Sequence, residues 1–421
     1  MRRVDVGAVR ALSLDPVDAK TLAQAQSILD DVLTRGTAGF LEQAERLGDL
    51  KQGDKYMYNR EDLKQAFDSL PVGDQQVLQR TADRIKKFAA VQRASVVETE
   101  CQVPGGKAGQ ILAPVERAGC YAPGGRYPLP SSVLMTACTA RVAGVKHVIV
   151  ASPRPQPVTL AAAFIADADS LIAAGGAQAI GAFAFGLGDM PSCDVIVGPG
   201  NRWVTAAKKL VSGRVNIDML AGPSECLVIA DGTANPNVIA ADLLAQAEHD
   251  TDAIPILITM DPLLPDQVNA AIVEQLKTLS TAAVASVAVS KGFYVLCDSL
   301  EQAISTCNVI GPEHLEVMTA DSDAVAKQLN NYGGLFIGSR SAEVFGDYGA
   351  GPNHVLPTSG TSRYTGGLSV FTFLRIRTWL RLDDENSEEQ RTLLQDAAII
   401  ARMEGLEGHA RAAEQRLEMF K

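Results

Sequence analysis

Between residues 17 and 95 apolar positions recur at three- and four-residue intervals, as in Ala23, Ala25, Ile28, Leu29, Val32 and Leu33. Charged residues fill the gaps, and glycines are confined to breaks such as Gly36 and Gly53. That period predicts amphipathic helices through the stretch. From about residue 110 the texture changes to short unbroken apolar runs: His147–Ala151, Cys193–Val197, Cys226–Ala230, Ile254–Ile258, Phe293–Cys297 and Leu335–Ile337. Runs of this length suit strands buried on both faces, and the Ala-rich helical stretches between several of them predict β-α units in a doubly wound parallel sheet. Ala221-Gly222-Pro223 divides the series into two sets, so the expected fold is α/β with two lobes and a cleft. After about residue 355 the periodic strands stop. A polar, glycine-containing stretch then leads to a charged helix from Glu388 to Glu404 and a short projecting tail.

Composition narrows the class. A chain of 421 residues exceeds what one hydrophobic core usually serves, and 47% hydrophobic residues is enough to fill two. A formal charge of −11 with 5% aromatic residues excludes the basic, stacking footprint of a nucleic-acid binder, which leaves small molecules as partners. Seven cysteines are scattered without a C-x-x-C pair, the pattern of reduced usage rather than a disulfide framework or thiolate zinc site. No apolar core follows Met1-Arg2-Arg3-Val4-Asp5, and no run of about 18 uncharged apolar residues occurs, so neither export nor a membrane span is expected. Cytoplasmic location is the resulting expectation.

The candidate chemistry gathers around histidine. Of five histidines, His249, His314, His354 and His409 stand beside carboxylates, amides or Gly/Pro turns, while His147 enters an apolar strand and reads as structural. In Gln246-Ala-Glu-His249, at the end of a helical segment from Asn237 to Ala247, i,i+3 spacing puts Gln246 and His249 on one face, able to reach one cation. A capping histidine at a solvated helix end is the alternative. Gly311-Pro-Glu-His314 places Glu313 and His314 on a turn or first helical turn, where they supply two proton-transfer groups or are accidental surface neighbours. Gly346-Asp-Tyr-Gly-Ala-Gly-Pro-Asn-His354 is a constrained loop offering Asp347 as an oxygen ligand and His354 as a donor. Glu404-Gly-Leu-Glu-Gly-His409 is a frayed end unless another subunit's cleft receives it. Gly175-Gly-Ala-Gln178 and Gly198-Pro-Gly-Asn201 each follow an apolar run and open a helix, so their amides are placed to meet a phosphate.

Taken in order, Tyr121-Ala-Pro-Gly-Gly, Gly175-Gly-Ala-Gln-Ala, Gly198-Pro-Gly-Asn, Asp218-Met-Leu-Ala-Gly-Pro-Ser-Glu225, Gln246-Ala-Glu-His-Asp250, Pro312-Glu-His-Leu315, Gly346-Asp-Tyr, Pro352-Asn-His-Val-Leu-Pro-Thr358 and Glu404-Gly-Leu-Glu-Gly-His409 resemble the histidinol dehydrogenase family. The resemblance runs from about Ala113 to the C-terminus. It implies two Rossmann-like lobes with a helical N-terminal segment and an extended C-terminal tail. The division it implies is an N-terminal segment (1–20), a first lobe (21–119 with 223–354), a second, NAD-binding lobe (120–222) and a dimer-exchanging tail (355–421). It further implies oxidation of L-histidinol to L-histidine in two NAD-dependent steps through a held aldehyde, in a homodimer with shared active sites and one zinc ion per subunit. By the same resemblance, zinc is held by Gln246, His249, Asp347 and a second subunit's His409. Substrate meets these four together with Ser224, His314, His354 and Glu404, and NAD meets Tyr121, Gln178 and Asn201. His314 then takes the alcohol proton and Glu313 activates water. Two departures bear on substrate: Arg126-Tyr127 after the Pro-Gly-Gly turn, which would favour an anion, and Gly311 before Pro-Glu-His. The stretch Thr358–Ser369 also resembles relatives such as sulfopropanediol 3-dehydrogenases, whereas Glu404 suits a cationic amino alcohol. A nucleotide-free metal hydrolase and a two-lobed solute-binding protein are the readings from other classes.

Overall fold

The computed structural model describes residues 1–9, 17–124, 127–383 and 387–419. Two six-stranded sheets carry the expected α/β fold. In the first, the strand order is Met57–Asn59, Ser170–Ile172, His147–Ala151, Arg117–Tyr121, Val195–Val197, Asn216–Ile217. Every pairing is parallel except that of the edge strand Met57–Asn59. The second runs Arg2–Arg3, Phe293–Leu296, Ile254–Thr259, Glu225–Ala230, His314–Met318, Gly334–Ile337, all parallel. In both, one early strand (Met57–Asn59, Arg2–Arg3) takes an edge, and the remaining strands start centrally, wind to that side and then to the other. Each sheet therefore has a switch point, between Arg117–Tyr121 and Val195–Val197 in the first and between Glu225–Ala230 and His314–Met318 in the second.

The helices follow from caps and stripes. Asp18 accepts the Thr21 N–H at 2.9 Å and opens Ala19–Arg35, which buries Ala25, Ile28, Leu29 and Val32 along one face and stops at Gly36, φ 58°. This stripe and Phe40 share a core with Ile172, Ile180, Phe183 and Ile196 of the first sheet's layer. That corrects the grouping of 21–119 with 223–354. An apolar stripe must be covered, and the helix Gly176–Phe185 offers small residues against which Ala19–Arg35 packs closely. Close packing also fixes Gly119, where a Cβ would come within 2.5 Å of the Phe183 ring. The second sheet has its own layers, with Leu227, Ile256, Val295 and Leu315 toward one helical face and Val228, Leu257, Leu243 and Val268 toward the other.

By contacts the chain forms two compact units, Met1–Arg93 with Val115–Phe373, and Ala94–Pro114 with Leu374–Lys421. Within the second, Thr99–Val103, Gly106–Pro114 and Leu374–Leu382 make an antiparallel sheet. A strand at Leu374–Leu382 corrects the expectation that strands end near residue 355. Its sequence, Leu-Arg-Ile-Arg-Thr-Trp-Leu-Arg-Leu, carries the two-residue alternation of a half-exposed strand. The predicted charged helix spans Glu388–Met403 and packs through Ala398 and Ala401 on a further helix, Glu407–Leu417. Among the described residues no helix is long and apolar enough to cross a membrane.

Candidate active site

At the amino ends of the central strands of the second sheet, buried acids meet imidazoles. The helix Pro236–Ala247 ends there, delivering fully buried Gln246 and, two residues beyond its last turn, half-exposed His249. Opposite lies the short helix Glu343–Asp347, whose i,i+4 spacing turns both terminal carboxylates to one side. His249 Nε2 is 3.6 Å from Asp347 Oδ2 and 3.8 Å from Glu343 Oε1. His314 is the first residue of a central strand, not part of a helical turn. Gly311, φ 59°, ends the preceding helix Leu300–Ile310 and sends the chain straight into the sheet. Its Nε2 stands 3.6 Å from Asp347 Oδ1, and its Nδ1 3.8 Å from Glu343 Oε2. His354 Nδ1 is 3.9 Å from the same Asp347 oxygen, and its Nε2 is 3.4 Å from Ser132 Oγ. Glu313 Oε2 accepts the Glu225 N–H at 3.1 Å, beside Ser224.

Burial and crowding set the protonation states. Burial raises Glu313 to about 7 and Glu225 to about 8, and the Glu313 charge adds to the rise of Glu225. Burial works against a charge on His314, yet Glu343, Glu313 and Asp347 outweigh it and hold the imidazolium well above its ordinary range. Burial would raise Asp347, but His314, His354 and His249 bring it down. Burial lowers His354 below the usual imidazole range. The protonated His314 ring donates from Nδ1 to Gln246 Oε1 at 3.0 Å.

A divalent cation fits here. The ligand atoms of His249, Glu343 and Asp347 lie within 4.8 Å of one another. Ligand atoms sharing one zinc at bonds of about 2.0–2.2 Å stand roughly 3–4 Å apart, and nitrogen with carboxylate oxygen is a donor set zinc accepts. His314 Nε2 is buried without a hydrogen-bond partner among the described residues, as a group waiting for substrate would be. Glu343 is absent from the sequence reading. Its signal was the Glu-x-x-x-Asp spacing ending in Asp347, legible only once that segment is known to be helical.

A second feature opens at the carboxyl ends of the first sheet. A cavity of about 660 Å³ is lined by Tyr121, Gly175, Gly176, Gln178, Asn201, Trp203, Asp49, Arg46 and Arg154, among others. Tyr121, Gln178 and Asn201 thus share one cavity. Asn201 Oδ1 caps the helix Arg202–Val211 by accepting from Trp203 N (3.1 Å) and Val204 N (3.2 Å). The Gly175 and Gly176 amides, expected to meet a phosphate, are already taken by Asp49 and the Tyr121 hydroxyl. Arg126 lies outside the described residues. Glu404 and His409 belong to the second compact unit and are exposed there.

Two doubly wound sheets, one carrying acids and imidazoles at its strand starts and the other a cleft at its strand ends, define a protein of the α/β enzyme class. The sequence model of the family described as histidinol dehydrogenase matches residues 15–417. The chain is 46% identical over 355 residues to histidinol dehydrogenase of Thermus thermophilus, covering 84% of this chain and 85% of that one. It is 40% identical over 415 residues to that of Pseudomonas syringae pv. syringae (97% and 91%), and 39% over 404 residues to sulfopropanediol 3-dehydrogenase of Ruegeria pomeroyi (94% and 92%). A crystal structure of histidinol dehydrogenase from Elizabethkingia anophelis matches with a TM-score of 0.91 at 31% identity, over 99% of this chain and 98% of that one. The chain belongs to the histidinol dehydrogenase family, and histidine biosynthesis is its expected role.

Proposed function

We propose that this protein oxidises L-histidinol to L-histidine through a held aldehyde, with NAD as acceptor and one zinc ion per subunit, in the cytoplasm. The convergence of Gln246 and Asp347 on buried His314, with His249 beside Asp347, carries this reading, since three separate stretches of chain bring acids, an amide and imidazoles to one place. Gln246, His249 and Asp347 would hold the ion, with Glu343 beside them. His409 and Glu404 would come from a second copy of the chain, His409 to the ion and Glu404 to the substrate's cationic end. Zinc, when bound, supplies a fixed positive charge that anchors and orients the substrate, and NAD supplies the hydride acceptor.

The chain's own groups handle the protons. With a cation held beside them, the charges of Asp347 and Glu343 would be offset, and His314, whose Nε2 has no hydrogen-bond partner among the described residues, would take the alcohol proton. Glu313, poised near neutrality, takes a proton from the water that adds to the aldehyde, and loss of hydride from the resulting diol gives the acid. Ser224 and His354 line the substrate's place, and Tyr121, Gln178 and Asn201 that of NAD.

The test counts NADH. Zinc-loaded protein with histidinol and NAD should yield two NADH per histidine. One NADH with released aldehyde, or turnover of sulfopropanediol but not of histidinol, would overturn the proposal.

A further inference from the structure

We infer that Asp49 is a specificity-determining residue of the cavity on the first sheet: its carboxylate occupies the anion position at the amino end of the helix Gly176–Phe185, so this end reads a cofactor hydroxyl and rejects a phosphate. The inference rests on the reading of that cavity as the NAD site.

Glycine pairs that open a helix after a parallel strand ordinarily leave their amides free for a phosphate. Here they are not free. Asp49 Oδ2 accepts the Gly175 N–H at 2.8 Å, and the Tyr121 hydroxyl accepts the Gly176 N–H at 3.3 Å. The same Asp49 oxygen also accepts Gln178 Nε2 at 2.9 Å. Because a carboxylate only accepts, it fixes the orientation of the amide, and Gln178 Oε1 is left buried and without a hydrogen-bond partner among the described residues. Asp49 Oδ1 makes no hydrogen bond among the described residues either, and the residue lines the cavity. Both side-chain oxygens left over at this end, Asp49 Oδ1 and Gln178 Oε1, are therefore acceptors.

Asp49 is held rigidly. It follows the helix Thr37–Arg46, where Gly48 at φ 78° reverses the chain and both Asp49 N (2.9 Å) and Leu50 N (3.3 Å) donate to the Ala44 carbonyl, with Leu50 buried behind. The N-terminal helical segment, placed by its apolar stripe on the first sheet, thus brings one carboxylate to the helix end. Arg46 and Arg154 line the same cavity and are the cations available to the dinucleotide's phosphates. A ribose hydroxyl can donate to Asp49. A phosphate ester in the hydroxyl's place brings like charge against like, and the Gly175 and Gly176 amides are already taken.

The experiment uses the zinc-loaded full-length enzyme with Asp49→Asn, which keeps an acceptor for Gly175 but removes the charge. A hydrogen bond to a charged group is worth about 1.5–3 kcal/mol, so KM for NAD should rise about tenfold or more while kcat stays within about twofold. The preference for NAD over NADP should narrow by a similar factor. Binding is read independently of turnover from the fluorescence of Trp203, which lines the cavity. If the parent enzyme binds NAD with a Trp203 response and the variant leaves the NAD-to-NADP ratio unchanged, the role of Asp49 is refuted and the cavity reading stands. If NAD leaves Trp203 unperturbed in the parent, and Asn201→Ala does not alter the KM for NAD, both fall together.

Discussion

Two buried carboxyls on or beside one strand differ in what their burial does. Glu313, raised to about 7, is a base only when ionised. The aldehyde half-reaction should therefore accelerate as pH rises through neutrality, and Glu313→Gln should flatten that profile while slowing aldehyde oxidation more than alcohol oxidation. Equal losses in the two half-reactions, measured by single turnover from histidinol and from the aldehyde, would refute that assignment. Glu316 lies beneath the site, accepts the Glu343 N–H at 2.8 Å and faces Asp242. Burial, then the Asp242 charge, raises it far above the carboxylate range. The folded state keeps a proton that the unfolded state releases, so stability is full at acidic pH and falls as pH rises above the ordinary carboxylate value. Glu316→Gln mimics the neutral acid. Its melting temperature should exceed the parent's by more at about pH 8 than at about pH 5, and a gap independent of pH would contradict this.

At the level of elements, the site depends on a clamp far away in sequence. Arg84, on the helix Val72–Ala94, donates from Nε to the Gly349 carbonyl at 2.5 Å, and Gly349 at φ 91° sits where a Cβ would strike Thr81. This fastens the loop between Asp347 and His354. Arg84→Met keeps the packing of the stem but frees the loop, so zinc affinity measured by competition with a chelator should drop about 10-fold or more, with secondary structure retained. The elements were unevenly legible. All six predicted apolar runs became sheet strands within a residue or two at either end, because strands buried on both faces need continuous apolar sequence. Arg117–Tyr121, Ser170–Ile172 and His314–Met318 gave no such signal: the first contains Gly119, the second has three residues, and the third carries His314 and Glu316 in its middle layer.

For the whole molecule, Glu404 and His409 are the residues proposed to cross to a second copy. His249→Ala and His409→Ala should each be inactive alone. Mixed and reassembled, they should recover up to about a quarter of parental activity, since one hybrid site in each heterodimer is intact. No recovery, with heterodimers demonstrated by mass, would place both residues in the same subunit's site.

Sequence alone determined what is local or ordered along the chain: the α/β class, the helical period of the N-terminal part, the helix near Glu388, and motifs specific enough to give the family. Tertiary structure decided what depends on partners in space. It put the N-terminal stripe on the first sheet, because an apolar face takes whichever surface is complementary, and so delivered Asp49 to a helix end that the glycines alone would have assigned to phosphate. It also added Glu343 to the acid and imidazole cluster, because whether two carboxylates face one point depends on a backbone conformation that five residues of sequence leave open.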